Sequence, residues 1–370
     1  MLMPIDYNAR LDALRAQLGE AHAVALVPGS NMRYFTGLDF HLGQRPTLAL
    51  ITRDGFGMIV PKLEAQKVTD RLDLNAQAFV WSDGDGYLGA FTAALDTLGL
   101  RGGVLGMDGM TMRVTEWLAF QTLDPTLRPA RLERALIAIR ARKTPDELDA
   151  MRRAIAISER ALARLMDEIA PGQTEVQIAA RLTALMSEEG APGVAFDTTV
   201  QVGANTAYPH GIMGDRPLER GQFLIIDFGA RVDGYPADIT RTFCLGAATP
   251  EMERIYNTVL SANIAAKAAA YPGARMGDVD KAARDIIAAA GYGEYFIHRT
   301  GHGLGLDMHE PIPQIAAGVE ETLDVDMVFT IEPGIYLPGV GGVRIEDDVV
   351  VTARGIDVLT SYPRQLVVAR

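Results

Sequence analysis

Four acidic residues and one histidine are spaced so that their side chains could meet. Asp227 ends the apolar run Phe223-Leu224-Ile225-Ile226, and Asp238 lies beyond Ala230-Arg231-Val232-Asp233-Gly234, where Asp233-Gly234 is a turn signal. The odd sum of the two positions puts both on one face of a hairpin whose loop has an even number of residues, so their carboxylates converge. Glu332, at the end of Val328-Phe329-Thr330-Ile331, and Glu346 repeat the arrangement around Pro338-Gly339-Val340, with an even sum that an odd-length loop satisfies. A single acidic residue on a strand is ordinarily part of its solvated face. Four placed in duplicate are costly to gather in a partly buried site unless protons or cations neutralise them. His302, in Thr300-Gly301-His302-Gly303-Leu304-Gly305, adds an imidazole between glycines that let backbone and metal approach it. Taken alone, such a histidine could equally serve local hydrogen bonding. Four carboxylates with one imidazole offer too many oxygens for one tetrahedral zinc and suit two divalent ions of the Mn or Co type. The direct inference is a bimetallic hydrolase.

The elements that must position these residues fall into two parts. Residues 9 to 21 carry an apolar stripe at helical spacing, Ala23-Val24-Ala25-Leu26-Val27 reads as a buried strand, and Thr47 to Thr52 with Phe56 to Val60 read as strands turned at Asp54-Gly55. Leu88 to Leu98 and Val114 to Leu123 read as amphipathic helices, giving an α/β layer domain over residues 1–132. A boundary is expected near residues 130 to 143. After it, Thr144-Pro145-Asp146-Glu147 forms a capping box that opens a helix running to about Ala170, within a second domain over 133–370.

That second domain contains a faint duplication. Pro171-Gly172 precedes Val176 and Ala179-Ala180-Arg181, just as Pro272-Gly273 precedes Val279 and Ala282-Ala283-Arg284. Leu218 stands nine residues before Asp227, and Leu323 nine before Glu332. Two fused half-domains related by a pseudo-two-fold axis follow, with a site shared between them. The fold class expected is therefore α/β (α+β).

Composition excludes several classes of function. The chain of 370 residues has 48% hydrophobic and 22% charged residues, which excludes a disordered or fibrous chain. Its net charge of −12 disfavours nucleic acid and anionic lipid as partners. No apolar run is long enough to cross a membrane, no export signal opens the chain, and the single cysteine, Cys244, leaves no disulfide framework, so a reducing cytoplasm is expected.

The ordered set Asp227-Phe228-Gly229, Asp238-Ile239-Thr240-Arg241-Thr242, Thr300-Gly301-His302-Gly303, His309-Glu310-Pro311, Glu332-Pro333-Gly334 and Arg344-Ile345-Glu346-Asp347 resembles the pita-bread metallopeptidases, in their prolidase and aminopeptidase P branch. Ser30-Asn31-Met32-Arg33-Tyr34-Phe35-Thr36-Gly37 is similar to that family's creatinase-type N-domain, and Arg142-Lys143-Thr144-Pro145-Asp146-Glu147 to the start of its catalytic domain.

The resemblance implies a pita-bread catalytic domain in which Asp227, Asp238, His302, Glu332 and Glu346 ligate two divalent metal ions, with Asp238 and Glu346 bridging. Mn is the first choice of metal, with Co or Zn as alternatives. The resemblance also implies a substrate-binding role for His210, contact of His309 with the scissile carbonyl, and proton transfer by Glu332. Arg344, two residues before Glu346 and so on the same strand face, could hold a substrate carboxylate or steady the site. The implied reaction is hydrolysis of the bond before proline in short peptides, by a homodimer. The short N-domain favours an Xaa-Pro dipeptidase over an Xaa-Pro aminopeptidase. A binding protein or a creatinase-like hydrolase on the same fold is disfavoured by the intact ligand set.

Five further residues carry open readings. His298 could support the site or be structural, Tyr235 and Thr240 could orient Asp238, Cys244 reads as core, and His41 lies in a loop that could reach a neighbouring protomer's site.

Overall fold

The computed structural model describes residues 5–366 and the backbone of Val368–Ala369. The chain divides into two compact units, Met1–Arg140 and Ala141–Arg370.

The first unit is built on a six-stranded sheet in the spatial order Gln77–Trp81, Phe56–Pro61, Leu48–Thr52, Ala23–Leu26, Val104–Met107, Arg128–Arg131. The strands Leu48–Thr52 and Phe56–Pro61 pair antiparallel, as their alternation predicts, while the outer pairs are parallel. Ala23–Leu26 is buried along its whole length because Phe91, Leu95 and Phe120 of the helices Leu88–Thr97 and Val114–Leu123 belong to the core it packs into. The expected first helix is shorter than its apolar stripe. It runs Tyr7–Arg15, and the chain then turns through Gly19 at φ +55°, although Leu18 is still buried.

The helix Glu133–Ala141 belongs with the first unit up to Arg140, rather than with the second. Its anchoring explains this. Leu136 is fully buried, and the buried Arg140 guanidinium donates to Asn31 Oδ1 at 2.7 Å.

The second unit is the duplicated one. Each half opens with a long helix, Pro145–Glu168 or Pro250–Ala269, entered from a threonine cap with proline in the first turn. A Pro-Gly turn follows with glycine at φ +88° or +87°, then a helix of 14 residues, Glu175–Glu188 or Met276–Ala289. The repeat extends to individual hydrogen bonds. Gly172 N–H donates to Leu218 and Gly273 N–H to Leu323, both at 2.8 Å, and each leucine returns a bond to the residue after the glycine.

Each half has its own apolar core, around Leu162, Leu182, Ile226 and Phe243 in one and Val259, Ile287, Phe329 and Val349 in the other. Cys244 is buried in the second of these, as expected of a core thiol. Four strands, Val368–Ala369, Ile239–Leu245, Gln222–Phe228 and Thr199–Val202, form one sheet. Five, Glu310–Ile315, Gly301–Gly303, Val328–Ile331, Asp347–Thr352 and Gly355–Val358, form the other. No helix among the described residues is long and apolar enough to cross a membrane.

Candidate metal centre

Two hairpins deliver the four carboxylates. In the first, Asp227 pairs with Thr240 in the ladder between Gln222–Phe228 and Ile239–Leu245. The same register continues past a change of sheet to Arg231 with Pro236 and Val232 with Tyr235, so the loop is the two residues Asp233-Gly234, both at positive φ. Asp238 therefore falls on the face of Asp227. In the second hairpin, Gly334 pairs with Arg344 and Leu337 with Gly341 around a three-residue loop, while Ile331 pairs with Asp347 further down. That register sets Glu332 opposite Glu346.

His302 enters from Gly301–Gly303, at a register shift between His302 and Gly303. The flanking glycines serve the neighbouring strands rather than a metal. A Cβ on Gly301 would lie 1.8 Å from the Thr330 carbonyl oxygen, and one on Gly303 2.6 Å from that of Ile312.

All five side chains line one cleft. His302 Nδ1 lies 3.1 Å from the Gly303 carbonyl, so it carries the proton and leaves the Nε2 lone pair facing Asp238 Oδ2 and Glu332 Oε1, each at 3.5 Å. Burial and the adjacent His309 push the His302 pKa down to about 3, which keeps the ring neutral. Ligating atoms of Asp238, His302 and Glu346 all lie within 4.8 Å of one another. Burial, then the neighbouring carboxylates, raises the carboxyls of Asp238 and Glu346 well above their usual range. Burial likewise brings Glu332 to about 7, with Arg344 opposing the rise. Asp227 Oδ1 is buried without a hydrogen-bond partner among the described residues. A neutral imidazole with a free lone pair, an orphaned carboxylate oxygen and four crowded acids form a donor set that divalent cations complete.

Two family models match the chain: Metallopeptidase family M24 over residues 149–353, and the Creatinase/Prolidase N-terminal domain over 10–141. The chain belongs to the M24 metallopeptidases. It is 43% identical to an Xaa-Pro dipeptidase of Pyrococcus furiosus over 62% of this chain, a match that spans 65% of the relative's length. The crystal structure of a recombinant prolidase from Thermococcus sibiricus superposes with a TM-score of 0.92 at 34% identity, covering 99% of this chain and 100% of that one. An X-Pro aminopeptidase of Thermotoga maritima gives 0.84 at 31% identity, covering 96% and 99%. The duplicated unit is thus the M24 pita-bread domain, preceded by a creatinase-type N-terminal domain.

Other expected site residues are placed unequally around the M24 cleft. His210 and His309 are both exposed and both line it, and the His309 ring lies 4.2 Å from that of His302 in a T-shaped arrangement. Burial and Arg299 lower the His309 pKa, so its ring is neutral at neutral pH. Arg344 is committed within the protein. Its guanidinium donates to Asp227 Oδ2 at 2.6 Å, to the Tyr336 hydroxyl at 2.9 Å and to Thr240 Oγ1 at 3.0 Å, contacts that fit the steadying role expected of it.

The side chains of both residues expected to orient Asp238 hydrogen-bond to other groups. The Tyr235 hydroxyl donates to Glu147 on the long helix, and Thr240 Oγ1 donates to Glu346 Oε2 at 2.6 Å. Asp238 is held instead through its backbone N–H, which donates to the buried Asp348 Oδ2 at 3.1 Å. Behind Glu346, Asp347 accepts from Arg241, Lys267, Arg364 and Thr360, which holds its carboxyl far below the usual range and clamps the strand end.

Three cleft residues escaped the sequence reading or were left open by it. His298 Nδ1 donates to the Arg299 carbonyl at 2.7 Å, so its Nε2 accepts from the Tyr336 hydroxyl at 2.9 Å. Tyr336 thereby links His298 to Arg344 and Asp227. Arg299 also lines the cleft, half-buried, and its guanidinium has no hydrogen-bond or ion-pair partner among the described residues. Its position beside Thr300-Gly301-His302 was the available signal.

Proposed function

We propose that this protein is a dinuclear metallo-exopeptidase that hydrolyses Xaa-Pro dipeptides, with the Xaa-Pro aminopeptidase reaction on longer peptides as the second reading. The observation that carries it is the cleft in which four carboxylates and His302 converge beside Arg299, a cation without a hydrogen-bond or ion-pair partner among the described residues and suited to a substrate's terminal carboxylate. The relatives named dipeptidase and prolidase support the same choice, and the aminopeptidase of similar fold supports the second.

In this reading Asp227, Asp238, His302, Glu332 and Glu346 would hold the two ions. Bound there, divalent cations of the Mn type, or Co or Zn, polarise a carbonyl and make water acidic near neutral pH. The protein's own groups do the rest. Glu332 accepts and passes on the proton at its carboxylate, which lines the cleft with Oε1 3.5 Å from His302 Nε2. His309, neutral at working pH, donates from its ring N–H to the carbonyl oxygen as charge develops there. His210, which also lines the cleft, contacts the peptide. Arg344 orients Asp227 by donating to its Oδ2 at 2.6 Å. An X-Pro bond has no N–H for the cleft to grip, so holding the ends of a short substrate replaces backbone recognition.

The same reading takes the protein as a homodimer, with the exposed His41 loop as a candidate contribution to the partner's site, and places it in the cytoplasm. Sedimentation as a monomer at working concentration would remove the first of these.

The test is turnover of Met-Pro beside Ala-Pro-Ala after Mn loading, with a chelated control. Preference for the dipeptide, abolished by chelation, is expected. Preference for the tripeptide would establish the aminopeptidase, and chelator-resistant turnover would refute the metal assignment.

A further inference from the structure

Between the pairs Ile331 with Asp347 and Gly334 with Arg344, the second hairpin opens at the two glutamates. Glu332 N–H leaves the ladder for the Thr300 carbonyl at 2.8 Å, on the segment that carries His302. Glu346 N–H leaves it for the Thr240 carbonyl at 3.1 Å, on the strand that follows Asp238. Each glutamate is thereby tied to a different neighbouring strand. The carbonyls of Ile331 and Ile345, the residues immediately before the two glutamates, flank this opening; across it Ile345 N–H donates to the Pro333 carbonyl at 3.4 Å, while Pro333 has no N–H to return to the Ile345 carbonyl.

One side chain satisfies both. Asn263, fully buried on the helix Pro250–Ala269, donates from Nδ2 to the Ile331 carbonyl at 3.1 Å and to the Ile345 carbonyl at 3.2 Å. Its Oδ1 has no partner among the described residues, so the amide's orientation is set by those two carbonyls alone. Buried carbonyls without donors are rare, and a single NH2 that serves two of them fixes their separation.

We infer that Asn263 is a positioning residue that sets the spacing of Glu332 and Glu346 in the opened hairpin. The inference rests on the reading of these two glutamates as metal ligands. Asparagine suits the place because it carries two N–H bonds on one nitrogen at the end of a short stem. Leucine has a similar volume and no donor, and serine has one O–H. Asn263 touches neither substrate nor metal, and acts through the backbone immediately preceding each ligand. Its loss lets the hairpin widths of the two glutamates vary independently, so affinity for the ions falls before the fold does.

The experiment is a calorimetric titration of the metal-free protein with MnCl2, comparing wild type, Asn263→Leu and Val259→Ala. Val259 is fully buried on the same helix and its side chain has no hydrogen-bond donor, so its truncation controls for helix destabilisation. Partners that orient metal ligands typically change affinity by about 10- to 100-fold, and a loss of that size is expected in Asn263→Leu but not in Val259→Ala at an equal or larger fall in Tm. Should Asn263→Leu not fold, Asn263→Ser is measured in its place against the same control. Wild-type affinity in the Asn263 variant, or a loss in both variants that follows Tm, overturns the inference. Failure of wild type to bind Mn would instead overturn the metal-ligand reading itself.

Discussion

If Arg299 receives the terminal carboxylate of a dipeptide, the protein and the substrate can each be altered at that one contact. The perturbations are Arg299→Gln in the protein and Xaa-Pro-amide for Xaa-Pro in the substrate. Arg299 is half-buried with a guanidinium unpaired among the described residues, so an arriving carboxylate displaces no internal ion pair. A charge-assisted hydrogen bond in such a setting contributes about 1.5 to 3 kcal/mol, which at about 1.4 kcal/mol per factor of ten is roughly 10- to 150-fold in kcat/KM. Wild type should therefore prefer the free acid over the amide by about that factor, and Arg299→Gln should lose most of the preference while cleaving the amide nearly as well as wild type does. The contact forms on binding and persists in the transition state, so the loss belongs mainly in KM. The assay is steady-state hydrolysis of both substrates by both Mn-loaded proteins, reduced to one coupling free energy. Equal loss on acid and amide, with coupling below about 0.5 kcal/mol, would refute the carboxylate contact. It would show that Arg299 acts through its field on His309 and Glu332, both of which it depresses.

Asp238→Asn should lose bound Mn and turnover while keeping the far-ultraviolet dichroism of wild type. Its metal-free form should melt no lower than metal-free wild type, because one of the crowded acids has been neutralised. Retained turnover would remove Asp238 from the bridging role. His309→Ala should lower kcat by about 100-fold or more with little change in KM, as for a donor to developing charge; a pure KM effect would make it a binding residue. His298, whose pKa burial lowers to about 4, binds its proton more readily in the unfolded chain, near 6.5. Its contribution to stability is therefore complete above pH 6.5 and is lost as pH falls toward 4. Urea unfolding of metal-free protein should show wild type losing about 2 kcal/mol more than His298→Phe between pH 7.5 and 5. Parallel losses in the two would place the protonation elsewhere.

What could be read in the sequence was whatever chain geometry alone dictates. The parity of Asp227 with Asp238, and of Glu332 with Glu346, followed from the two-residue period of a strand and the number of residues in each turn. The Pro-Gly repeats could be seen because a helix end with a positive-φ glycine constrains residue type locally. The end of the first helix was less legible, since the apolar stripe continues through Leu18 after the backbone has turned. Which side chains support which ligand was not legible at all. Tyr235 and Asp238 are near in sequence, yet the hydroxyl reaches Glu147, and the groups that hold Glu346 and Asp238 come from strands distant in the chain.

The two arginines show the same limit where it bears on function. Sequence spacing puts Arg344 on the face of Glu346 and so makes it the natural candidate for a substrate's carboxylate. In the folded protein a carboxylate, a tyrosine and a threonine already occupy its donors. Redirecting it to substrate would leave Asp227 without its counter-charge in a buried acidic site, at a cost that a mobile substrate contact would not offset. Arg299 has no such commitment among the described residues, and its backbone carbonyl is fixed by His298 while its guanidinium stays open to the cleft. The linked chain Asp227, Arg344, Tyr336, His298 thus runs from a candidate metal ligand to the backbone of the residue best placed to sense the substrate's end. Two cations of the same type stand in different states: Arg344 is bonded to Asp227, and Arg299 has no hydrogen-bond or ion-pair partner among the described residues.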